Sequence, residues 1–210
     1  MMALLIEHGI RSRAVLEAMA RVPREEFVLE GDRERAYDDR ALAIDAPGQT
    51  ISQPLMVAVV VEALELREGE TALDVGTGSG YQAAVMAACG ARVVSIERIA
   101  SLADTAAERL QRLGFDVEVH TGDGSLGVPE RAPFDAIAVG AAAPRLPLAL
   151  ARQLVEGGRL VVPIADSPRG EELTRLRIVN GHWHTESLGP CRFVRLIGAD
   201  GYREADPEPS

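Results

Sequence analysis

Three short stretches of the chain carry residue types that could hold a ligand. The first, Asp74-Val75-Gly76-Thr77-Gly78-Ser79-Gly80-Tyr81, follows an apolar run and precedes a run of small residues. Glycines let a backbone turn tightly and let a ligand lie directly against it. The spacing departs from the dinucleotide fingerprint G-x-G-x-x-G, because the third glycine comes one residue early, at Gly80, and Tyr81 fills its place. That turn suits a ligand without a pyrophosphate. The second stretch ends in Glu97, 21 residues after Gly76, where a carboxylate can accept both hydroxyls of a ribose. The third, Gly122-Asp123-Gly124, offers a carboxylate to an adenine amino group and glycines that leave room for the ring. Singly, these are an exposed strand-end acid and ordinary turns. Together they describe a nucleoside pocket of the S-adenosylmethionine type.

The elements that must position these residues are legible in the hydrophobic pattern. Val15, Ala18, Met19 and Val22 recur at helical spacing until Pro23 stops the run. Residues 37–50 hold no steady period and contain Pro47-Gly48, so they read as a loop or short strands. A helix is expected after Pro54, which suits a first helical position. From residue 70 the pattern alternates between strands and helices. Strands are expected at 71–75, 92–96, 117–121, 134–139 and 159–164, with helices at 81–89, from 101 to Gly114, and at 146–154. Ser101 with Asp104 three residues on resembles a capping box. Two later strands, near 173–179 and 183–188, read as a hairpin around Asn180-Gly181. The fold class expected is α/β: a doubly wound, mostly parallel sheet, Rossmann-like, with a helical N-terminal segment and a C-terminal antiparallel hairpin. One domain is expected over 1–198, divided into 1–66, a core at 70–164 and strands at 171–198, with a disordered tail at 199–210. In such sheets ligands bind beyond the carboxyl ends of the strands, here just after residues 75, 96, 121 and 139.

Composition narrows the function classes. A chain of 210 residues with 47% hydrophobic and 26% charged residues can bury a full core without disulfide staples. Its net charge of −10 repels phosphate backbones, and no Lys/Arg cluster offsets it, so nucleic acid is not expected as a partner. No apolar stretch reaches membrane length and no signal peptide is read at the N-terminus. A soluble, cytoplasmic monomer is expected, with Cys89 and Cys191 as buried, reduced thiols. His182 and His184 flank Trp183 on one strand face, but no third ligand is evident, so no metal is expected. Arg192 and Arg195 could steer an anionic peptide but read as ordinary surface pairs.

At this point the chain resembles the protein-L-isoaspartate O-methyltransferase family. The resemblance rests on Gly48-Gln49-Thr50-Ile51-Ser52-Gln53-Pro54 together with Leu73 through Ala84. Further matches are Arg21 through Val28, Ala36 through Arg40, Ser95-Ile96-Glu97-Arg98, Gly122-Asp123-Gly124 and Ala141 through Pro144. It covers about residues 10 to 198, and Thr50-Ile51-Ser52 is more specific than the glycine turn. The resemblance implies methyl transfer from S-adenosyl-L-methionine to the free carboxyl of L-isoaspartyl residues in damaged proteins, beginning repair through a succinimide. It implies Ser52 as the active-site serine, with Gln49, Thr50 and Ile51 covering the cofactor. Asp74, Gly76, Thr77, Gly78, Ser79, Gly80, Glu97, Arg98, Gly122 and Asp123 would bind it. The family's pattern has glutamine where Glu171 stands, and a second acid there would repel an anionic substrate. Two alternatives remain: an aspartate methyltransferase acting on a dedicated peptide to install a succinimide, and an inactive nucleoside-binding relative. Ser52 can also be read simply as the cap of the helix near Pro54.

Overall fold

The computed structural model describes residues 1–165 and 170–206. A seven-stranded sheet organises them in the order β5-β4-β3-β6-β7-β8-β9. The strands are β3 (Thr71–Val75), β4 (Arg92–Glu97), β5 (Val117–Thr121), β6 (Phe134–Val139), β7 (Leu154–Ile164), β8 (Glu172–Val179) and β9 (His182–Pro190). From β5 through β7 the pairing is parallel; β7, β8 and β9 are antiparallel. Asn180 and Gly181 both have positive φ, 54° and 74°, as a two-residue hairpin turn matching the strands' twist requires. A two-stranded hairpin, β1 (Leu42–Ala43) with β2 (Thr50–Ile51), stands apart from this sheet.

Side-chain alternation sends each central strand into two cores. Ala72, Ala136, Ala138 and Val161 face one core, which also holds α2 (Arg13–Arg21), α3 (Pro54–Leu64) and α4 (Tyr81–Ala88). Leu73, Val75, Ile137 and Val139 face the other, closed by α6 (Leu148–Ala151), Val128 and Leu196. The helix α1 (Met2–Glu7) precedes α2, and α5 (Ala100–Arg112) links β4 to β5. Small residues on α4, Ala83 and Ala84, are fully buried and let the helix lie close to the sheet.

The chain passes from β3 to β4 on one side of the sheet and from the neighbouring β6 to β7 on the other, so the two connections diverge at the carboxyl ends of β3 and β6. That reversal opens the crevice in which ligands of such sheets bind.

Several expectations need correction. The helix expected at 146–154 is only Leu148–Ala151, and Leu154 begins β7. The Phe134 amide donates to the Gln153 carbonyl at 2.7 Å, so sheet pairing takes over where helical periodicity still continued. Ser101 does not cap α5; the cap is Ile99, whose amide donates to Glu97 Oε1, and Ser101 lies inside the helix. Cys89 and Cys191 are free thiols, as expected, but half-buried. Within the stretch expected to be a tail, Ala199 N donates to Asp123 Oδ2 and Asp200 N to Ser125 Oγ. Residues 207–210 lie outside the described residues.

Candidate active site

The glycine turn is built from backbone that only glycine adopts cheaply: φ is 87° at Gly76, 50° at Gly78 and 89° at Gly80. The amides of Gly76 and Thr77 donate to the Ile96 carbonyl at 2.8 and 3.3 Å, tying the turn to the end of β4. Beneath it, Asp74 is fully buried and accepts from Gln82 Nε2 and Ser95 Oγ, both at 2.8 Å. Ser95 Oγ also lies 2.6 Å from Thr77 Oγ1. Desolvation pushes the Asp74 carboxyl up to about 6 against the pull of those two hydrogen bonds, with the Glu97 charge pushing the same way as burial. Asp74 therefore braces the turn from behind and lines no part of the crevice.

Glu97 closes the other side. Its Oε2 accepts from Gly78 N at 2.9 Å and its Oε1 from Ile99 N at 3.0 Å. Each carboxylate oxygen keeps further acceptor capacity, and Glu97 lines the crevice together with Gly76, Gly78, Ile96, Gly124 and Gly140. The floor at these glycines is bare backbone: a Cβ on Gly124 would lie 2.8 Å from Val75 Cγ1. Ile44, Ile96, Leu196 and Ile197 supply apolar walls, and Gln49, Thr50 and Arg98 complete the rim. An acid at the rim of a narrow, glycine-floored, apolar slot fits a nucleoside.

A second recess adjoins this crevice and shares Thr50, Gly76, Gly78 and Gly140 with it. Ile51, Ser52, Thr77, Ser79 and Gln82 line the recess. The N-cap of α3 is Gln53, without a side-chain cap bond, so Ser52 does not cap this helix. Among the described residues the Ser52 hydroxyl makes no hydrogen bond, and Ser52 is half-exposed in the recess. On the far side of the crevice runs an open groove of about 680 Å³, bounded by Gly48, Gln49, Ala142, Phe193 and Arg195.

Ten of the fourteen expected site residues thus converge on the crevice or the recess: Gln49, Thr50, Ile51, Ser52, Gly76, Thr77, Gly78, Ser79, Glu97 and Arg98. Asp74, Gly80, Gly122 and Asp123 line neither. Asp123 Oδ1 accepts from Ser125 N and Oγ at 2.9 and 2.6 Å, and Oδ2 from Ala199 N at 2.7 Å. At this strand end Gly124 reaches the crevice instead. Arg98 pairs with Glu204 at 3.2 Å. The Arg195 guanidinium stacks 4.8 Å over Tyr202, and its Nη1 donates to the Asp206 carbonyl at 2.8 Å. Glu171 lines the groove and accepts from Phe193 N at 2.6 Å, and burial raises its pKa. His182 and His184 are exposed, and no group of metal-ligating side chains occurs among the described residues.

Sequence reasoning missed the residues that hold these loops from a distance. Arg109 donates to the Ser79 carbonyl at 2.8 Å, and Arg24 donates to the Ser52 carbonyl at 2.7 Å. Asp39 Oδ1 accepts from Leu55 N at 2.9 Å. The available signal was the family resemblance of Arg21 through Val28 and Ala36 through Arg40, which contain Arg24 and Asp39.

Residues 1–201 match the family described as Protein-L-isoaspartate(D-aspartate) O-methyltransferase (PCMT). Protein-L-isoaspartate O-methyltransferase 1 of Geotalea uraniireducens is 52% identical over 200 residues, covering 94% of this chain and 91% of the relative. Protein-L-isoaspartate O-methyltransferase 2 of Pelobacter propionicus is also 52% identical, covering 94% and 88%. A solved protein-L-isoaspartate O-methyltransferase superposes with a TM-score of 0.84 at 31% identity, covering 95% of this chain; this chain spans 65% of that one. A beta-aspartate methyltransferase from Plasmodium falciparum, solved with S-adenosyl-L-homocysteine, superposes with a TM-score of 0.80 at 28% identity, covering 93% of this chain and 96% of its own.

Proposed function

This chain belongs to the protein-L-isoaspartate(D-aspartate) O-methyltransferase family, and we propose that its crevice takes the adenosyl end of S-adenosyl-L-methionine while Ser52 meets an isoaspartyl carboxylate beside it. The activity is methylation of the free carboxyl of L-isoaspartyl residues in proteins and peptides, dependent on S-adenosyl-L-methionine. The observation that carries the assignment of residues is the adjacency of the two cavities. The Glu97 crevice and the Ser52 recess share four residues across the glycine turn.

When bound, the donor supplies an electrophilic methyl group on a positively charged sulfur. Glu97 would accept the ribose hydroxyls, the glycine floor would admit close approach, and Ile44, Ile96 and Ile197 would pack against the faces of the adenine ring. The nucleophile needs no base: a peptide α-carboxyl with a pKa of about 3.5 is more than ~99% ionised at pH 7. Ser52 therefore acts as a donor, holding one carboxylate oxygen through its hydroxyl so that the other faces the methyl group. Rate comes from alignment, which can supply several kcal/mol. Isoaspartate and aspartate are both ionised at pH 7, so selection between them rests on how the backbone is gripped. Residues 48–53, 141–144 and 193–197 are proposed to do this, and Gly48, Gln49, Ala142 and Phe193 already border the open groove.

A monomeric, cytoplasmic enzyme without nucleic-acid or membrane partners is the fuller reading. The net charge of −10 and the two free cysteines support it, and no helix among the described residues is long and apolar enough to cross a membrane. The test is transfer of labelled methyl from S-adenosyl-L-methionine to isoaspartyl and aspartyl versions of one peptide. Label on the isoaspartyl version alone, released by mild alkali as an ester releases it, is expected. Alkali-stable label, or equal labelling of both peptides, would overturn the reading.

A further inference from the structure

Arg24 is fully buried, yet no carboxylate bonds to it. Its Nε donates to the Ala36 carbonyl and its Nη2 to the Ser52 carbonyl, both at 2.7 Å. The guanidinium lies 4.7 Å over the Tyr81 ring, and Nη1 is buried without a hydrogen-bond partner. An apolar side chain would fill this volume without the cost of desolvating a cation. The arginine joins three segments that share no strand: the turn at Ala36, the loop of Ser52 and the first residue of α4.

The Ser52 loop has little else to fix it. Strand β2 ends at Ile51 after two residues. Gln53 makes no side-chain cap bond to α3, although its carbonyl accepts from Val57 N at 3.2 Å, and Pro54 has no amide to offer. The next amide, Leu55 N, is taken by Asp39 Oδ1 at 2.9 Å, and Asp39 Oδ2 accepts from Gln53 Nε2 at 3.4 Å. The turn from Ser52 to Leu55 is thus held at its carbonyl end by a guanidinium and at its amide end by a carboxylate.

We propose that Arg24 is the positioning residue of Ser52, clamping the serine's carbonyl against Tyr81 so that its hydroxyl stands in the recess beside the glycine turn. Asp39 clamps the other end of the same turn. Arg24 lines neither the crevice nor the recess, so it acts through Ser52 and not on the substrate. The proposal rests on the reading of Ser52 as the carboxylate's hydrogen-bond donor. A displacement of about 1 Å in such a group can cost on the order of 100-fold in rate.

A double-mutant cycle between Arg24→Lys and Ser52→Ala tests it. Lysine keeps the charge, but one ammonium cannot bond both carbonyls and lie flat on Tyr81. Arg24→Lys should lower kcat/KM for an isoaspartyl peptide about tenfold or more. Its affinity for S-adenosyl-L-homocysteine should stay within about threefold of the parent. In the Ser52→Ala background the same substitution should cost less than about twofold, because no hydroxyl remains to aim. Equal cost in both backgrounds would overturn the proposal, and so would a collapse of S-adenosyl-L-homocysteine binding in Arg24→Lys. Where Arg24→Lys melts below the assay temperature, Asp39→Asn enters the cycle in its place under the same criteria. An active parent whose Ser52→Ala variant loses nothing would instead undo the role of Ser52, an outcome distinct from an additive cycle.

Discussion

The two halves of the site are held by different means. On the donor side, the glycine turn and Glu97 sit at the ends of neighbouring strands, and their ties are short-range in space and made largely by backbone: Gly76 and Thr77 to Ile96, Gly78 and Ile99 to Glu97. On the Ser52 side, a two-residue strand leads into a helix without a local cap, and side chains from elsewhere in the chain hold the turn. The sheet therefore fixes the crevice proposed for the donor almost as a by-product of folding. The Ser52 turn is held by side chains distant in sequence, Arg24 and Asp39, that substitutions can loosen separately. Damage to the first half should appear in donor affinity, and damage to the second in turnover of the peptide.

Ser52→Ala should separate the halves most sharply. Removing one aimed hydrogen-bond donor of this kind typically costs on the order of 100-fold in rate. The expected result is that loss in kcat/KM for an isoaspartyl peptide with S-adenosyl-L-homocysteine affinity nearly unchanged, read by kinetics and calorimetry. Glu97→Gln should do the reverse. Hydrogen bonds to a charged group contribute about 1.5–3 kcal/mol, so donor affinity should fall roughly 10- to 100-fold, with little change in peptide KM at saturating donor. A variant that bound the donor normally would remove Glu97 from the site.

Asp74→Asn should have the smallest effect and report on the brace behind the turn. Burial raises the folded pKa of Asp74 from 3.8 to about 6. Its contribution to stability is then fully present below about pH 3.8 and lost as pH rises through about 6. At neutral pH the ionised, buried group costs roughly 2 kcal/mol relative to pH 4. Asparagine cannot ionise. The difference in Tm, variant minus parent, should therefore grow more favourable to the variant by several degrees between pH 4 and pH 7. A difference independent of pH would show that Asp74 does not titrate across this range.

The same division explains what the sequence revealed. The donor half is legible because it follows local rules: a strand, a glycine turn, a helix, then an acid at the end of the next strand. The seven-stranded architecture and the Asn180-Gly181 hairpin are legible for the same reason. The Ser52 half is not, because Arg24 lies 28 residues from Ser52 and Asp39 16 residues from Leu55, and no pattern couples them. Ser52 itself was marked only by family resemblance. The contacts of the Ala199 and Asp200 amides with Asp123 and Ser125, some 75 residues away, are likewise invisible to any local pattern. The capping box at Ser101 misled because Glu97, an acid expected only to face a ribose, also receives the Ile99 amide and starts the helix two residues early.

A crystal structure of the chain with S-adenosyl-L-homocysteine and an isoaspartyl peptide would test most directly whether the two halves meet on one reaction. The expected result has the ribose hydroxyls on Glu97, the sulfur facing the Ser52 recess, and the isoaspartyl carboxylate accepting from Ser52 Oγ about 3–3.5 Å from where the methyl carbon would lie. A nucleoside seated away from Glu97, or a peptide carboxylate held by other groups with Ser52 untouched, would contradict it.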